Sequence, residues 1–246
     1  MEIFTKLAFR YLQFGDSRAR INLETGCFDA VLPRRVERTQ IPRFFMKWSI
    51  IRGLERKNRY PLHSSAVTDG SRARIFVGRS GAGKSTLLML HLLHGQTLLT
   101  DDVLFLGQQA IYPFLLRSDL REETLNRLRR DNRFASIRLK PGLVDLGAMF
   151  PSWHGRLQQD NVSFYYLNVW RSSRSKIRHV TPQRMLGLLT DSYVSEMNQS
   201  YWSGWKTSKR ISNVMRAYSE ILEYANCYEI LAGSNLTPLY KLIQRT

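Results

Sequence analysis

Long hydrophobic runs are absent from this sequence of 246 residues. A transmembrane helix needs roughly 18 or more consecutive apolar residues, and no run in the chain approaches that length. The opening segment, up to Arg20, also lacks a long apolar core followed by a small-residue cleavage site. A signal peptide is therefore not expected, and the sequence favours a cytoplasmic protein without a transmembrane segment.

Cysteine is scarce as well, since the chain has only Cys27 and Cys227, far apart in sequence. Zinc sites need cysteines or histidines at close spacing, and disulfide-rich folds need more cysteines in a shorter chain. The cysteine content fits neither class, so a reducing compartment is the expectation.

Acidic residues are few, with 20 Asp and Glu against 37 Lys and Arg, which gives a formal net charge of +17. Such an excess implies an acidic partner, which is a protein or peptide, a nucleic acid or an anionic membrane surface. A basic surface that serves only solubility is the alternative. The hydrophobic content of 43% is sufficient for one large globular domain, or for one domain with a small addition.

One stretch carries a specific signal. The apolar run Ile75–Val77 reads as a buried strand, and the segment that follows, GRSGAGKS, fits the phosphate-loop pattern G-x-x-x-x-G-K-[ST]. Glycines let such a loop turn tightly and bring its N–H groups close to an anion. We expect nucleotide phosphates to contact the residues of this loop and of the helix start, namely Gly78, Ser80, Gly81, Ala82, Gly83, Lys84, Ser85 and Thr86.

The segment after the loop predicts a helix from Lys84 to His94, which Gly95 would end. The N-terminus of a helix favours bound phosphate, and Lys84 adds a charge that reaches the β- and γ-phosphates of ATP. We expect the hydroxyl of Ser85 to be a ligand for Mg²⁺. The alternative is a glycine-rich turn without a ligand.

The rest of the chain predicts an α/β protein. Strand-like runs before residue 36 and an amphipathic helix from Ile41 to Leu54 predict a small β-rich addition at residues 1–58, packed on a core at residues 59–246. The elements predicted in the core are strands at Leu62–Val67, Ala73–Val77, Val162–Trp170 and Tyr228–Leu231, helices from Pro182 to Asn198 (with Thr181 as N-cap) and from Ser208 to Ala225, and a final helix capped by Thr237-Pro238. A segment from Arg121 to Arg133 is either an exposed helix or a mobile loop.

The phosphate loop indicates a nucleoside triphosphate but not the reaction. A transporter-type ATPase would carry an LSGGQ-like signature, and a GTPase would carry Asn-Lys-x-Asp; the sequence has neither. It has instead a second apolar run, Thr97–Thr100, that ends in two carboxylates, Asp101 and Asp102. A turn between strands is the other interpretation of this pair.

The order of these motifs resembles the C-terminal domain of HPr kinase/phosphorylase and its short relatives, which are serine kinases from peptide-biosynthesis clusters, including those acting on lasso-peptide precursors. The resemblance covers about residues 60–106, and its motifs are His63-Ser64-Ser65-Ala66-Val67, Ile75 to Ser85, Gly95, and Leu98 to Asp102. It implies a P-loop kinase core with a mixed central sheet and flanking helices. It also implies ATP and Mg²⁺ as cofactors, and a serine of a small protein or precursor peptide as phosphoacceptor.

The resemblance further implies roles for single residues. Asp101 would be the general base that takes the proton of the acceptor hydroxyl, and Asp102 would be a ligand of Mg²⁺ together with Ser85. His63 would support the acidic pair and the phosphates, with a structural histidine as the alternative. Phosphoryl transfer needs charge neutralisation, alignment and one such carboxylate, which agrees with this set.

Two basic segments, at residues 117–140 and 171–184, suit an acidic substrate. Arg117 and Arg138 are the candidates for substrate contact, and a solvated basic face is the alternative. Other residues favour structural roles. His91 and His94 lack a third metal ligand at matching spacing, and Trp202 and Trp205 are typical of a packed aromatic turn, although they could stack on a base. A nucleotide-dependent switch that binds nucleic acid is the second functional hypothesis.

Overall fold

The computed structural model describes most of the chain. The described residues are 2–6, 9–14, 17–22, 27–31, 47–115, 118–129, 139–158, 161–170, 172–197 and 208–246. Among them, none of the helices is both long and apolar enough to cross a membrane.

The N-terminal region forms its own antiparallel sheet. Four strands follow one another in sequence order, namely β1 (Glu2–Lys6), β2 (Phe9–Phe14), β3 (Ser17–Asn22) and β4 (Phe28–Val31). The sequence predicts strands here at Lys6–Phe14, Ala19–Leu23 and Cys27–Leu32, and it does not predict β1, which ends at Lys6. The division of the chain at residue 58 stays a prediction.

A mixed sheet of eight strands forms the centre of the molecule. Its strands are β5 (Tyr60–Thr68), β6 (Ala73–Val77), β7 (Thr97–Gly107), β8 (Ala110–Phe114), β11 (Leu157–Gln158), β12 (Val162–Val169), β13 (Lys176–His179) and β14 (Asn226–Ala232). They are arranged in the order β11-β8-β7-β5-β6-β12-β14-β13. The pairs β6–β12 and β12–β14 are parallel, and the other pairs are antiparallel. Two short strands, β9 (Ser118–Leu120) and β10 (Gly142–Val144), pair beside this sheet.

Seven described helices accompany the sheets. They are α1 (Lys47–Glu55), α2 (Lys84–Leu93), α3 (Glu122–Arg129), α4 (Leu146–Met149), α5 (Pro182–Met197), α6 (Ser208–Leu222) and α7 (Leu236–Gln244). Helices α5 and α6 pack with Ile75 and Phe164 in one core, while α2, α3 and α7 pack with Phe76 and Tyr165 in another. Because neighbouring side chains of a strand point to opposite faces, the two cores lie on the two faces of the sheet. This is the α/β fold with flanking helices that the sequence predicts.

Capping residues in the sequence predict one of two helix starts correctly. Thr181 caps α5 as predicted, since its hydroxyl accepts a hydrogen bond from the Arg184 N–H at 3.2 Å. The segment after Arg121 is a helix, α3, over its described part. The final helix, α7, is present as predicted, but the predicted cap at Thr237 is wrong, because Asn235 is the N-cap and Thr237 lies inside the helix. An asparagine two residues earlier competes for the same position, and its side chain accepts from the Thr237 N–H.

Candidate functional site

The phosphate loop connects β6 to α2, as the motif predicts. Three of its glycines have positive φ, at 150° for Gly78, 81° for Gly81 and 98° for Gly83, the residue that precedes α2. A Cβ atom at Gly78 would lie 2.7 Å from the backbone oxygen of Leu167 on β12. The loop therefore needs glycine at Gly78 for two reasons, its backbone conformation and its close approach to the neighbouring strand.

Lys84 closes the loop from the first turn of α2. Its ammonium donates a hydrogen bond to the carbonyl of Gly78 at 2.7 Å, and it lies 3.4 Å from the carbonyl of Arg79. Ser80 and Gly81 at the tip are exposed, whereas Ala82 and Thr86 are buried. The arrangement puts one cation and the N-terminus of a ten-residue helix beside an exposed loop, which is a suitable environment for phosphate.

The two carboxylates lie within β7, which continues to Gly107, so they do not form the turn that was the alternative. Leu98 pairs with Val67 and Thr100 pairs with Ala66, which leaves Leu99 as an extra residue, a β-bulge. Because side chains alternate along a strand, this extra residue reverses which face each following side chain occupies. It brings Asp101 directly opposite Ser65. Ser65 also pairs with Phe76, so Asp101 lies level with the end of β6 and the start of the loop.

Asp101 is surrounded by serine hydroxyls. Ser65 Oγ donates to Asp101 Oδ1 at 2.5 Å, and Ser85 and Ser118 also hydrogen-bond to this carboxyl. Burial and the adjacent charge of Asp102 raise the pKa of Asp101 to about 6, although the three hydroxyls act in the opposite direction. The contact with Ser85 joins this carboxyl to the phosphate loop.

Asp102 has a different environment. The ammonium of Lys47, on α1, lies 2.6 Å from Asp102 Oδ2. Burial alone would raise the pKa of Asp102, but the Lys47 charge and the hydrogen bond from His63 hold it well below its usual range. Asp102 is therefore ionised at neutral pH.

His63 lies on β5, beside Asp102. Its Nδ1 lies 2.8 Å from the backbone oxygen of Asp102 and 3.2 Å from Asp102 Oδ1. A carbonyl oxygen can only accept, so Nδ1 carries the proton in this arrangement. The predicted proximity of His63 to the acidic pair is thus present, and its role stays a prediction.

The donor atoms of this site suit Mg²⁺. This ion prefers oxygen ligands and is usually held by one or two carboxylates together with substrate phosphates and water. Ser85 and Asp101 are in hydrogen-bond contact, and Asp102 follows in the chain. In the part of the chain that the structure describes, no group of three or more His, Cys, Asp or Glu side chains is arranged as a metal site. Oxygen donors of this kind suit a Mg²⁺ ion that phosphate and water also bind.

Arg127 is a cation of the site that the sequence did not single out. Its Nη2 donates to the carbonyl of Gly233 at 2.5 Å, which ties α3 to the turn after β14. Its Nη1 lies 3.6 Å from the position that a Cβ atom would occupy at Gly83. A guanidinium held against the loop by a backbone contact is well placed to meet a bound phosphate.

Three other residues of the site are not predicted from the sequence, and the reason is the same for each. Lys47, Ser65 and Ser118 lie on separate elements and reach the carboxylates only through the fold. Ser65 had a weak signal, because it follows His63 by two positions on a strand and so shares its face. No sequence pattern connects Lys47 or Ser118 to the site.

Of the remaining candidate residues, some lie outside the described part of the chain and the others have structural contacts. Arg117, Arg138, Trp202 and Trp205 lie outside the described residues. His91 is fully buried, with its Nδ1 3.2 Å from Gln96 Oε1, and burial lowers its pKa to about 3. His94 Nδ1 donates to the Leu90 carbonyl, and its ring stacks on Tyr240 at 3.9 Å. These contacts are those of structural histidines.

Comparison with known proteins adds no assignment. No protein-family model matches the chain, and a search of curated proteins finds no match.

Proposed function

We propose that this chain is an ATP-dependent kinase that transfers the γ-phosphate to a serine hydroxyl of a small acidic protein or precursor peptide. Its core would be of the type found in the C-terminal domain of HPr kinase/phosphorylase and in its short relatives. The observation that carries the proposal is the hydrogen bond from Ser85 to Asp101, because it joins a phosphate loop to a carboxyl with a raised pKa.

The phosphate loop would bind the triphosphate of ATP. Backbone N–H groups between Gly78 and Lys84 and the N-terminus of α2 supply donors, while Lys84 and Arg127 supply positive charge from two sides. Mg²⁺, when bound, neutralises phosphate charge, and Ser85 with Asp102 would hold it, as the resemblance implies. The Ser85 contact supports Asp101 as a further oxygen near that ion.

Asp101 would act as the general base. The acceptor serine gives its proton to the Asp101 carboxylate, and its oxygen forms a bond to the γ-phosphorus. The bond between this phosphorus and the bridging oxygen breaks, and ADP leaves with the electron pair. A pKa of about 6 suits this role, because the group is ionised at neutral pH and still takes a proton readily.

The carboxylate of Asp102 would stay ionised throughout, because Lys47 and His63 stabilise its charge. Two adjacent carboxylates in such different environments can have different roles: one accepts a proton, and the other stays negatively charged. A cytoplasmic location, with ATP and Mg²⁺ at hand, is part of this proposal.

The proposal is tested by label transfer. The purified chain is incubated with γ-labelled ATP, Mg²⁺ and a heat-treated lysate of the source organism. We expect a labelled acceptor with the unmodified chain, and none with Asp101→Asn or Lys84→Ala. Asp191→Asn is the matched control, since Asp191 is exposed on α5, and it should label normally. Labelling that survives Asp101→Asn would contradict the role of that residue.

The second hypothesis, a nucleotide-dependent switch that binds an acidic partner such as nucleic acid, is favoured by the net charge of +17. It predicts release of free phosphate only, together with salt-sensitive binding of a polyanion. The same experiment separates the two, because a switch leaves no label on protein.

A further inference from the structure

The edge of the central sheet at β13 is open among the described residues. There β13 is the last strand and pairs with β14 alone. The N–H of Val180 donates to the Cys227 carbonyl at 2.9 Å, which fixes the alternation of the antiparallel ladder. By that alternation, the backbone groups of Ile177 and His179 point away from β14. Outward N–H and C=O groups on an edge strand are the contacts that an extended peptide uses when it adds to a sheet.

The side chains along this edge are basic. Residues 172–184 contain no Asp or Glu, and their four described cations, which are all exposed, are Arg174, Lys176, Arg178 and Arg184. Arg178 is held in place by the buried carboxylate of Glu229 at 2.5 Å, while 66% of its own side chain stays exposed. The edge therefore complements an acidic segment.

A cavity of about 350 Å³ lies where β13 ends and α5 begins. Its lining residues are Arg178, His179, Val180, Thr181 and Arg184. Two of the five side chains are guanidinium groups, which bind carboxylates through paired hydrogen bonds. The cavity extends the basic edge by a recess that an acidic side chain can enter.

The other end of β13 lies close to the phosphate loop. A Cβ atom at Gly233 would lie 2.4 Å from the Arg174 carbonyl, so the segment before β13 packs tightly on the turn after β14. The carbonyl of that same Gly233 accepts a hydrogen bond from Arg127, whose other nitrogen faces Gly83. Two residues, Gly233 and Arg127, therefore connect the start of β13 with the loop.

We propose that the β13 edge is the docking site of the phosphoacceptor, which binds as an added, acidic strand between the Arg178–Arg184 cavity and the phosphate loop. This inference rests on the proposed kinase function and names the surface and the binding mode. A peptide held in this way would run towards the sheet end that carries the phosphate loop. Its acceptor serine would lie beyond the bound strand, because β13, β14 and β12 would separate that strand from β6 and the loop. Its backbone would supply affinity, and its alternate acidic side chains would supply selectivity.

Two other roles of a basic edge strand are known: its charges can prevent pairing between copies of a protein, or they can bind a nucleic acid. In neither role would peptide binding depend on which backbone N–H groups of the peptide are free. Strand addition does depend on them, and the first experiment measures this dependence.

The probe is a fluorescent peptide of about ten residues in which glutamate alternates with threonine and one serine stands at the end, chosen for its extended conformation. Its binding to the full chain is measured by anisotropy without nucleotide. Two further peptides carry N-methyl groups on alternate amides, one on each edge of the strand, at unchanged charge. Strand addition predicts that one methylated peptide loses at least tenfold in affinity and that the other binds as the parent does. Equal binding by both would overturn the proposal.

Charge reversal on the protein gives a second measurement. The double variant Lys176→Glu/Arg184→Glu should weaken peptide binding at least tenfold. The control Arg216→Glu/Lys241→Glu makes the same change in net charge at exposed positions of α6 and α7, and it should weaken binding less than about threefold. Equal losses in the two variants would mean unspecific attraction and would overturn the docking site.

Failure of the docking site and failure of the kinase proposal are distinguishable. Specific peptide binding without any phosphate transfer to lysate proteins would leave the surface in place and contradict the kinase. Transfer at an undiminished rate in Lys176→Glu/Arg184→Glu would leave the kinase in place and contradict the surface.

Discussion

The ammonium of Lys47 lies 2.6 Å from a carboxylate oxygen of Asp102, although the two residues come from a helix and a distant strand. The neighbouring carboxyl, Asp101, contacts hydroxyl groups instead. Burial raises the pKa of both carboxyls, and the hydroxyls only partly offset this at Asp101, whose pKa is about 6. At Asp102 the charge of Lys47 and the contact with His63 more than offset burial, so its pKa is lowered. Adjacent carboxyls with diverging pKa values are typical of sites that carry out proton transfer.

Replacing Lys47 tests the environment of Asp102. Lys47→Met keeps the apolar stem of the side chain and leaves Asp102 without its cation. We expect the free energy of unfolding at pH 7 to fall by about 1–2 kcal/mol, between the values for exposed and fully buried pairs. The fold lowers the pKa of Asp102, so its ionised form stabilises the fold. This stabilisation is fully present above the unfolded pKa of about 4 and is lost as the pH falls towards the folded pKa. The loss in Lys47→Met should therefore shrink in acid, as measured by urea unfolding.

The matched control is Arg20→Met, in a pair with Asp29 at 2.8 Å whose side chains are both more than half exposed. It should cost less than about 0.5 kcal/mol. A double-mutant cycle of Lys47→Met with Asp102→Asn should return a coupling of about 1 kcal/mol. A coupling near zero would mean that the contact contributes nothing to the site.

Ser65→Ala tests the environment of Asp101. The Ser65 hydroxyl stabilises the ionised carboxylate, so its removal raises the pKa of Asp101 further. A general base works only when ionised, and we expect kcat/KM to fall as the pH drops through about 6 in the unmodified chain. In Ser65→Ala the half-maximal point should move up by about half a unit or more.

The control for this measurement is Ser64→Ala. Ser64 is equally buried on the same strand, but its hydroxyl donates to the Leu62 carbonyl. Its pH profile should keep the unmodified midpoint. An unchanged midpoint in Ser65→Ala as well would remove Asp101 from the proton transfer.

Arg127→Gln tests the cation beside the phosphate loop. Loss of a charge that contacts the transferred phosphate should lower kcat by about 10- to 100-fold, since such charges act mainly on the transition state. Arg129→Gln is the control on the same helix, where the guanidinium donates to the Leu139 carbonyl at 2.8 Å. Single-turnover transfer from labelled ATP measures both. Equal rates for the two variants would leave Arg127 with a structural role only.

Gly78→Ala tests the geometry of the loop itself. The added Cβ would meet the Leu167 carbonyl at 2.7 Å and would strain a residue with φ at 150°. We expect nucleotide binding to be lost or to weaken at least tenfold, and the melting temperature to fall. Gly53→Ala on α1 adds the same methyl group where nothing lies within 4 Å. It should bind nucleotide normally, as measured by fluorescent-nucleotide titration.

The parts of the fold that the sequence predicts are those set by local chemistry. The strand, loop and helix around Lys84 follow from one motif, and the start of α5 follows from Thr181 and Pro182. The start of α7 was misjudged because two residues with capping side chains, Asn235 and Thr237, lie close together.

The candidate site was predictable only as a list of residues. Its motifs name Lys84, Ser85 and Asp101, but the geometry that joins them depends on the extra residue Leu99, which turns Asp101 towards Ser65. No pattern of composition or period marks such a bulge. The contact of Lys47 with Asp102 likewise spans separate elements and depends on how α1 packs on the sheet.

The fate of the γ-phosphate of ATP decides between a kinase and a nucleotide-dependent switch. The purified chain, Mg²⁺ and γ-labelled ATP are incubated with heat-treated lysate protein, and the amounts of label in free phosphate and in phosphoserine are measured over time. For a kinase we expect phosphoserine to accumulate with the unmodified chain and to be absent with Asp101→Asn. Label found only in free phosphate at every time point would contradict the kinase and favour a nucleotide-dependent switch.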